Sequence, residues 1–263
     1  MGFTLPGPVC RFLSYLPIDK GTLAVVCSTP PGVSKPATSG SPPKAARKSK
    51  KIASKKKQVV SDGTVQADLI FLYLTCEIKV SRLVDVDDIV SEVLEHADRY
   101  RAVEGSTGVP WFVVAVIHNM ECSLNFKQHL HNGDPLTSRT THVPAGRPIS
   151  GTPPFTWETS AADALSLKNF NSDWSLGAIL DKLETYNGLG YRKYHTNVHT
   201  PYLWSASNHY TSGKYIADGS FSSSAVSQQI GAAVILKRME DTGVIPRYLL
   251  PEPPLGFQTT AYA

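Results

Sequence analysis

Cysteine is scarce in this chain and follows no pattern. Cys10, Cys27, Cys76 and Cys122 are too few and too irregularly spaced for a disulfide framework, and no CxxC pair is available to hold zinc. Long apolar runs are missing as well. A stretch such as residues 69–74 falls far short of the roughly 20 apolar residues a membrane-crossing helix needs, so no membrane span is expected. A secretory leader is not expected either: no basic residue precedes Phe3, Pro6 and Pro8 interrupt, and residues 23–26 make a short apolar core. Compartment is not legible from these features. Acid is nearly absent from residues 1–60, where Asp19 stands alone against eleven lysines and arginines. With a formal net charge of +4 for the whole, that segment carries +10 and residues 61–263 carry −6.

What is present is enough apolar material for a core. In 263 residues, 41% are hydrophobic, which excludes wholesale disorder, and the length allows one large domain or two small ones. Residues 28–54 are Pro, Ser, Ala, Gly and Lys with almost nothing to bury, so residues 1–60 read as a disordered basic arm. Its lysines suit anionic envelope polymers or plain solvation. Without interleaved aromatics or a folded motif they imply no specific nucleic acid.

The body is expected over 61–245, with an extended tail over 246–263. Residues 65–80 are apolar and ambiguous between helix and strand. A helix is expected where Val86, Ile89, Val90, Val93, Leu94 and Ala97 form a stripe behind Asp85, Asp87 and Asp88. It should end at Gly105 and Gly108. Another is expected from Pro110, capped by Ser106 or Thr107, through Phe112, Val113, Val116, Ile117 and Met120. It is apolar nearly all round and should run through the middle of the domain, with Glu121 at its far end. Residues 125–156 are rich in Gly, Pro, Thr, Asn and His and suggest a functional loop or irregular β lobe. Helical patterning returns at 160–167, 174–185 and 225–240, the last with Val226 and Ile230 facing inward. No internal repeat is found. The fold class expected is α+β, mainly α, with a small irregular β or loop lobe.

A carboxylate closing a buried helix is unusual. Desolvation and the negative end of the helix dipole both disfavour its charge, which makes Glu121 a candidate proton donor near neutral pH. Asp134, thirteen residues later in a glycine turn, offers a second carboxylate, and two such groups across a sugar cleft can divide the labour of glycoside hydrolysis.

These residues carry a resemblance. Residues 113–125, VVAVIHNMECSLN, resemble the helix end that delivers the catalytic glutamate in goose-type lysozymes and soluble lytic transglycosylases, and Tyr186-Asn187-Gly188 is similar to the Tyr-Asn motif lining the sugar cleft of that superfamily. HLHNGDPLT, VPAGRP, PPFTWE and YLWSASNHY look like the bacterial and phage lysozyme-like domains associated with peptidoglycan-binding modules. The resemblance covers about residues 83–243. It implies a lysozyme-like fold and a muramidase acting on peptidoglycan glycan strands, at the cell wall, as a monomer without cofactor or metal. Glu121 and Asp134 would be catalytic. Tyr186, Asn187, Tyr191, His131, Thr137, Trp204, His209 and Tyr210 would bind sugar, the aromatic ones by stacking. Cys122 stands where the pattern usually has Ser, and residues 125–156 replace the Gly-Leu-Met-Gln run of the transglycosylases, which favours a hydrolase using Asp134.

Rival readings differ in chemistry. His118, His129, His131, His142, Asp134 and Cys122 include plausible zinc ligands without an HExxH arrangement. Cys122 with His142 suggests a thiol hydrolase, but catalytic cysteines favour the opposite helix end. A lytic transglycosylase, a chitosanase-like hydrolase and a non-catalytic glycan-binding protein complete the alternatives.

Overall fold

Two packed helix pairs and one central helix organise the chain, which a computed structural model describes over residues 62–247. The described residues belong to one compact unit. The expected basic arm and almost all of the expected C-terminal tail lie outside them. Among the described residues the fold is α+β and mainly α: α1 Asp62–Leu74, α2 Leu83–Glu95, α3 Ala97–Thr107, α4 Trp111–Cys122, α5 Trp157–Ser166, α6 Leu176–Asn187, α7 Gly190–Tyr194, α8 Pro201–Trp204 and α9 Ala232–Asp241. A 3-10 turn, Val80–Arg82, leads into α2. A single antiparallel pair, β1 Lys214–Ala217 and β2 Ser220–Ser222, precedes α9. Among the described residues no helix is long and apolar enough to cross a membrane.

The central helix is α4. From Phe112 to Met120 every side chain is buried, as its all-round apolar sequence requires. It packs on α3 and α9, while α1 lies on α6 and α2 on α9. Arg238 of α9 grips Asp87 of α2 with two hydrogen bonds of 2.6 and 3.0 Å. Glycines set two close approaches. A β-carbon at Gly177 would stand 3.0 Å from Gln66 and 3.1 Å from Ile70 of α1; one at Gly231 would overlap the Leu203 carbonyl oxygen at 2.2 Å.

Several element boundaries depart from the sequence reading. The ambiguous segment is helical as α1, and the stripe after Asp85 is divided at His96 into α2 and α3. Pro110 occupies the N-cap of α4 instead of its first turn. Ser106 and Thr107 bond back to the Val103 carbonyl and so finish α3. The last helix begins seven residues later than its pattern suggests, because its start is held against the Leu203 carbonyl through Gly231. Val226 is accordingly exposed while Ile230 is buried. Residues 125–156 carry one isolated bridge, Gln128 to Pro135, and no strand; the sheet lies at 214–222. Scattered backbone hydrogen bonds, such as Thr140 N–H to Arg147 and Phe155 N–H to Leu136, together with side-chain bonds to Asp134, hold that loop instead of a regular ladder.

Candidate functional site

Glu121 stands one residue before the end of α4, and the chain leaves the helix by an unusual bend. Ser123 (φ 49°) and Leu124 (φ 58°) both adopt the left-handed conformation without being glycine. The terminal carbonyls of the helix find donors: Ser123 N–H donates to Asn119, and Gln229 Nε2 donates to Met120 at 2.7 Å. The buried Tyr202 hydroxyl of α8 donates to Glu121 Oε1 at 2.9 Å. Burial raises the Glu121 pKa from 4.5 to about 7; the Tyr202 hydrogen bond and the charge of Lys168 act in the lowering direction and are outweighed. The carboxyl therefore holds a proton over much of the range below neutrality.

Two further groups complete this cluster. Tyr186, near the end of α6, is driven well above the usual phenol range by burial and then by Glu121. Lys168, just past α5, lays its ammonium 3.8 Å over the centre of the Tyr186 ring. Burial pulls the Lys168 pKa down, and Glu121 pulls it back up. Tyr202, too, is raised by burial, Glu121 and Tyr186 together. Four helices or their ends, α4, α5, α6 and α8, thus meet around one protonated carboxyl.

Asp134 occupies a different environment. Its Oδ2 accepts hydrogen bonds from the Thr141 and His142 backbone N–H groups at 2.7 and 3.0 Å and from Asn132 Nδ2 at 3.1 Å. Its Oδ1 pairs with His142 Nδ1 at 2.6 Å. Burial raises the carboxyl, but the hydrogen bonds from His142 and Thr141 prevail and hold it at about 2, so it is ionised near neutral pH. It ties the loop together, with Gly133 (φ 78°) making the turn and Asn132 Oδ1 accepting the Asp134 N–H.

The remaining expected sugar contacts separate into distinct places. His131 is buried and bonds Asp163 at 2.7 Å; Arg147 grips the same carboxylate with two hydrogen bonds, bracing the loop on α5. Arg139 instead donates to the Gly151 carbonyl. Thr137 is exposed on the loop, and Asn187 ends α6, half-buried. Trp204 lies in the core at 1% exposure, so its faces are covered by protein. Tyr210 is buried and donates to Gly213 while accepting from Ser227. Tyr191 is buried against Tyr215 and Phe221, and its hydroxyl accepts from the Tyr215 N–H. His209 is half-buried, edge-on to Trp204 and 3.2 Å from the Thr75 hydroxyl. Tyr186 alone among them joins the Glu121 cluster. Tyr202 and Lys168 were missed by sequence reasoning, although Tyr202 opens the quoted YLWSASNHY stretch.

The histidines of the metal reading are dispersed. His118 is buried against Tyr100 at 3.0 Å, and burial lowers its pKa to about 3. His129 bonds the Ser160 hydroxyl at 2.7 Å. Among the described residues no three His, Cys, Asp or Glu side chains converge as metal ligands. Cys122 is buried with its thiol toward the His129 carbonyl at 3.6 Å, and His142 faces Asp134.

Compared with protein-family models, curated proteins and solved structures, the chain has no significant match.

Proposed function

We propose that this protein is a lysozyme-like glycoside hydrolase that cuts peptidoglycan glycan strands, with Glu121 as the general acid. The observation that carries the reading is a glutamic acid held protonated near neutral pH at the end of a buried helix, between Tyr202, Tyr186 and Lys168. Glycosidic oxygen is a poor leaving group until protonated, and a donor with a pKa near 7 keeps its proton at working pH yet releases it in the transition state. Tyr186 lies beside the donor, where an aromatic face suits a sugar ring. Asp134, ionised and rigidly held, would supply the negative charge or water-orienting group of a two-carboxylate hydrolase.

One observation favours a second reading. The Asp134 oxygens are already engaged by five hydrogen-bond donors, from Asn132, Thr141 and His142. A site with one working carboxyl fits a lytic transglycosylase, in which the muramyl 6-hydroxyl attacks in place of water. The test uses purified peptidoglycan and mass spectrometry of the products. Reducing ends are expected for hydrolysis, and 1,6-anhydro ends would establish the transglycosylase. Glu121→Gln is expected to lower turnover by at least about 100-fold on either reading, with folding intact. Near-normal activity in that variant would remove Glu121 from the mechanism.

A further inference from the structure

A cavity of about 400 Å³ opens where the end of α3, the flank of α5 and residues 169–174 come together. It lies by the start of α4, about 15 Å of helix away from Glu121 at the other end. Its size falls within the range of small-molecule sites, roughly 300–1,000 Å³. Among the described residues that line it, none is ionisable. A phosphate or a carboxylate would find no opposite charge in that wall, and a hydrocarbon chain would desolvate its amides and hydroxyls for nothing. The apolar part of the wall is aromatic, with Phe170 and Trp174 edge-on at 5.7 Å. It is also braced. The Lys182 ammonium lies 4.8 Å over the Trp174 ring and donates to the Asp173 carbonyl. Asp173 N–H donates to Asn171 Oδ1 at 3.2 Å, and Ser175 N–H to Asp173 Oδ1 at 2.9 Å. With its oxygen so used, the Asn171 amide offers its NH2 group as a donor. Asn169 and Ser172 are exposed on the same wall.

We infer that this cavity is a non-catalytic carbohydrate site that takes an N-acetylhexosamine unit of a neutral glycan. A pyranose brings a flat C–H face to an aromatic wall and a rim of hydroxyls to amide groups. Its acetamido substituent adds a donor and an acceptor, which Asn169, Asn171 and Ser172 can match. The bracing of Trp174 by Lys182 limits the entropy lost when the sugar arrives. The inference goes beyond the proposed function, since it needs neither cleavage nor any part of the Glu121 cluster.

The experiment titrates neutral N-acetylglucosamine oligomers into the full chain carrying Glu121→Gln, so that the probe survives, and follows amide and indole N–H signals by NMR. Saturable shifts are expected at the Trp174 indole and at Asn169 and Asn171. Glucose oligomers of the same linkage and length, which lack the acetamide, should bind at least about 10-fold more weakly at those signals. Adding Trp174→Ala should weaken the binding read at Asn169 and Asn171 by about 10-fold, while Trp174→Phe, which keeps an aromatic face, should stay within about 3-fold. Shifts around Tyr186, if the oligomers also reach the Glu121 cluster, should be unchanged by either variant. A Trp174 indole that does not respond, or the same Kd in Trp174→Ala, overturns the inference. Equal binding of the glucose oligomers overturns the N-acetylhexosamine assignment. Turnover is not read in this titration, so each of these results leaves the glycosidase reading standing.

Discussion

Removing the Tyr202 hydroxyl isolates one of the forces on the Glu121 proton. That hydroxyl stabilises the carboxylate form, so Tyr202→Phe should raise the Glu121 pKa further and move the alkaline limb of kcat/KM to higher pH. A pH–rate profile on soluble glycan oligomers checks this; a limb that stays put or moves down would separate Glu121 from the alkaline titration. Stability should respond as well. A carboxyl raised to about 7 when folded holds its proton longer than the unfolded chain, so its contribution is complete below about 4.5 and is lost as pH rises through 7. Glu121→Gln, which cannot ionise, should therefore melt higher than wild type at pH 8, by up to about 3 kcal/mol of stability, and about equally at pH 4. Asp134 has the opposite sign. Its stabilisation is present above about 4 and disappears as pH falls through about 2. The position of Glu121 was legible because a buried helix announces its own end. Tyr202 and Lys168 were not, since contacts between residues 121 and 202, or between 168 and 186, leave no periodic trace in one sequence.

Elements were read well where periodicity is strong and poorly where a tertiary contact sets the boundary. The apolar circumference of α4 and the stripe of α6 were plain in the sequence. The start of α9 was not, because the apolar pattern continues through residues that the chain needs for its approach to α8. Gly231 sits at an ordinary φ of −72°, so conformational freedom is not its purpose; space is. A methyl group there would meet the Leu203 carbonyl at 2.2 Å and force apart α8 and α9. Gly231→Ala should destabilise the protein by about 3 kcal/mol, measured by denaturant melts, and should shift Tyr202 relative to Glu121. Wild-type stability in that variant would show that the two helices can separate without cost. The segment over 125–156 was legible as a functional loop or an irregular β lobe, and it is a loop with one isolated bridge. Hydrogen bonds accepted by Asp134 and Asp163 hold it in place of a regular ladder.

Across the whole molecule, charge is divided unequally. Residues 1–60 carry +10 and the rest carries −6. Attraction of the cationic segment to anionic envelope polymers would act over the Debye length of about 10 Å at 0.1 M salt and fade as salt rises. Deleting residues 1–60 should weaken binding to purified sacculi at low ionic strength while scarcely altering turnover of soluble oligomers. Sedimentation of sacculi over a salt series checks this, and equal binding by both forms at every salt would assign the segment no such role.

The bend that follows α4 has a cost of its own. Ser123 and Leu124 turn the chain in a conformation that glycine would adopt with less strain, two residues from the acid they help to aim. Selection for heat resistance would find easy gains at that corner, and on the proposed reading each one would slacken the angle at which Glu121 is held. Durability and potency would then be bound to the same short curve of backbone.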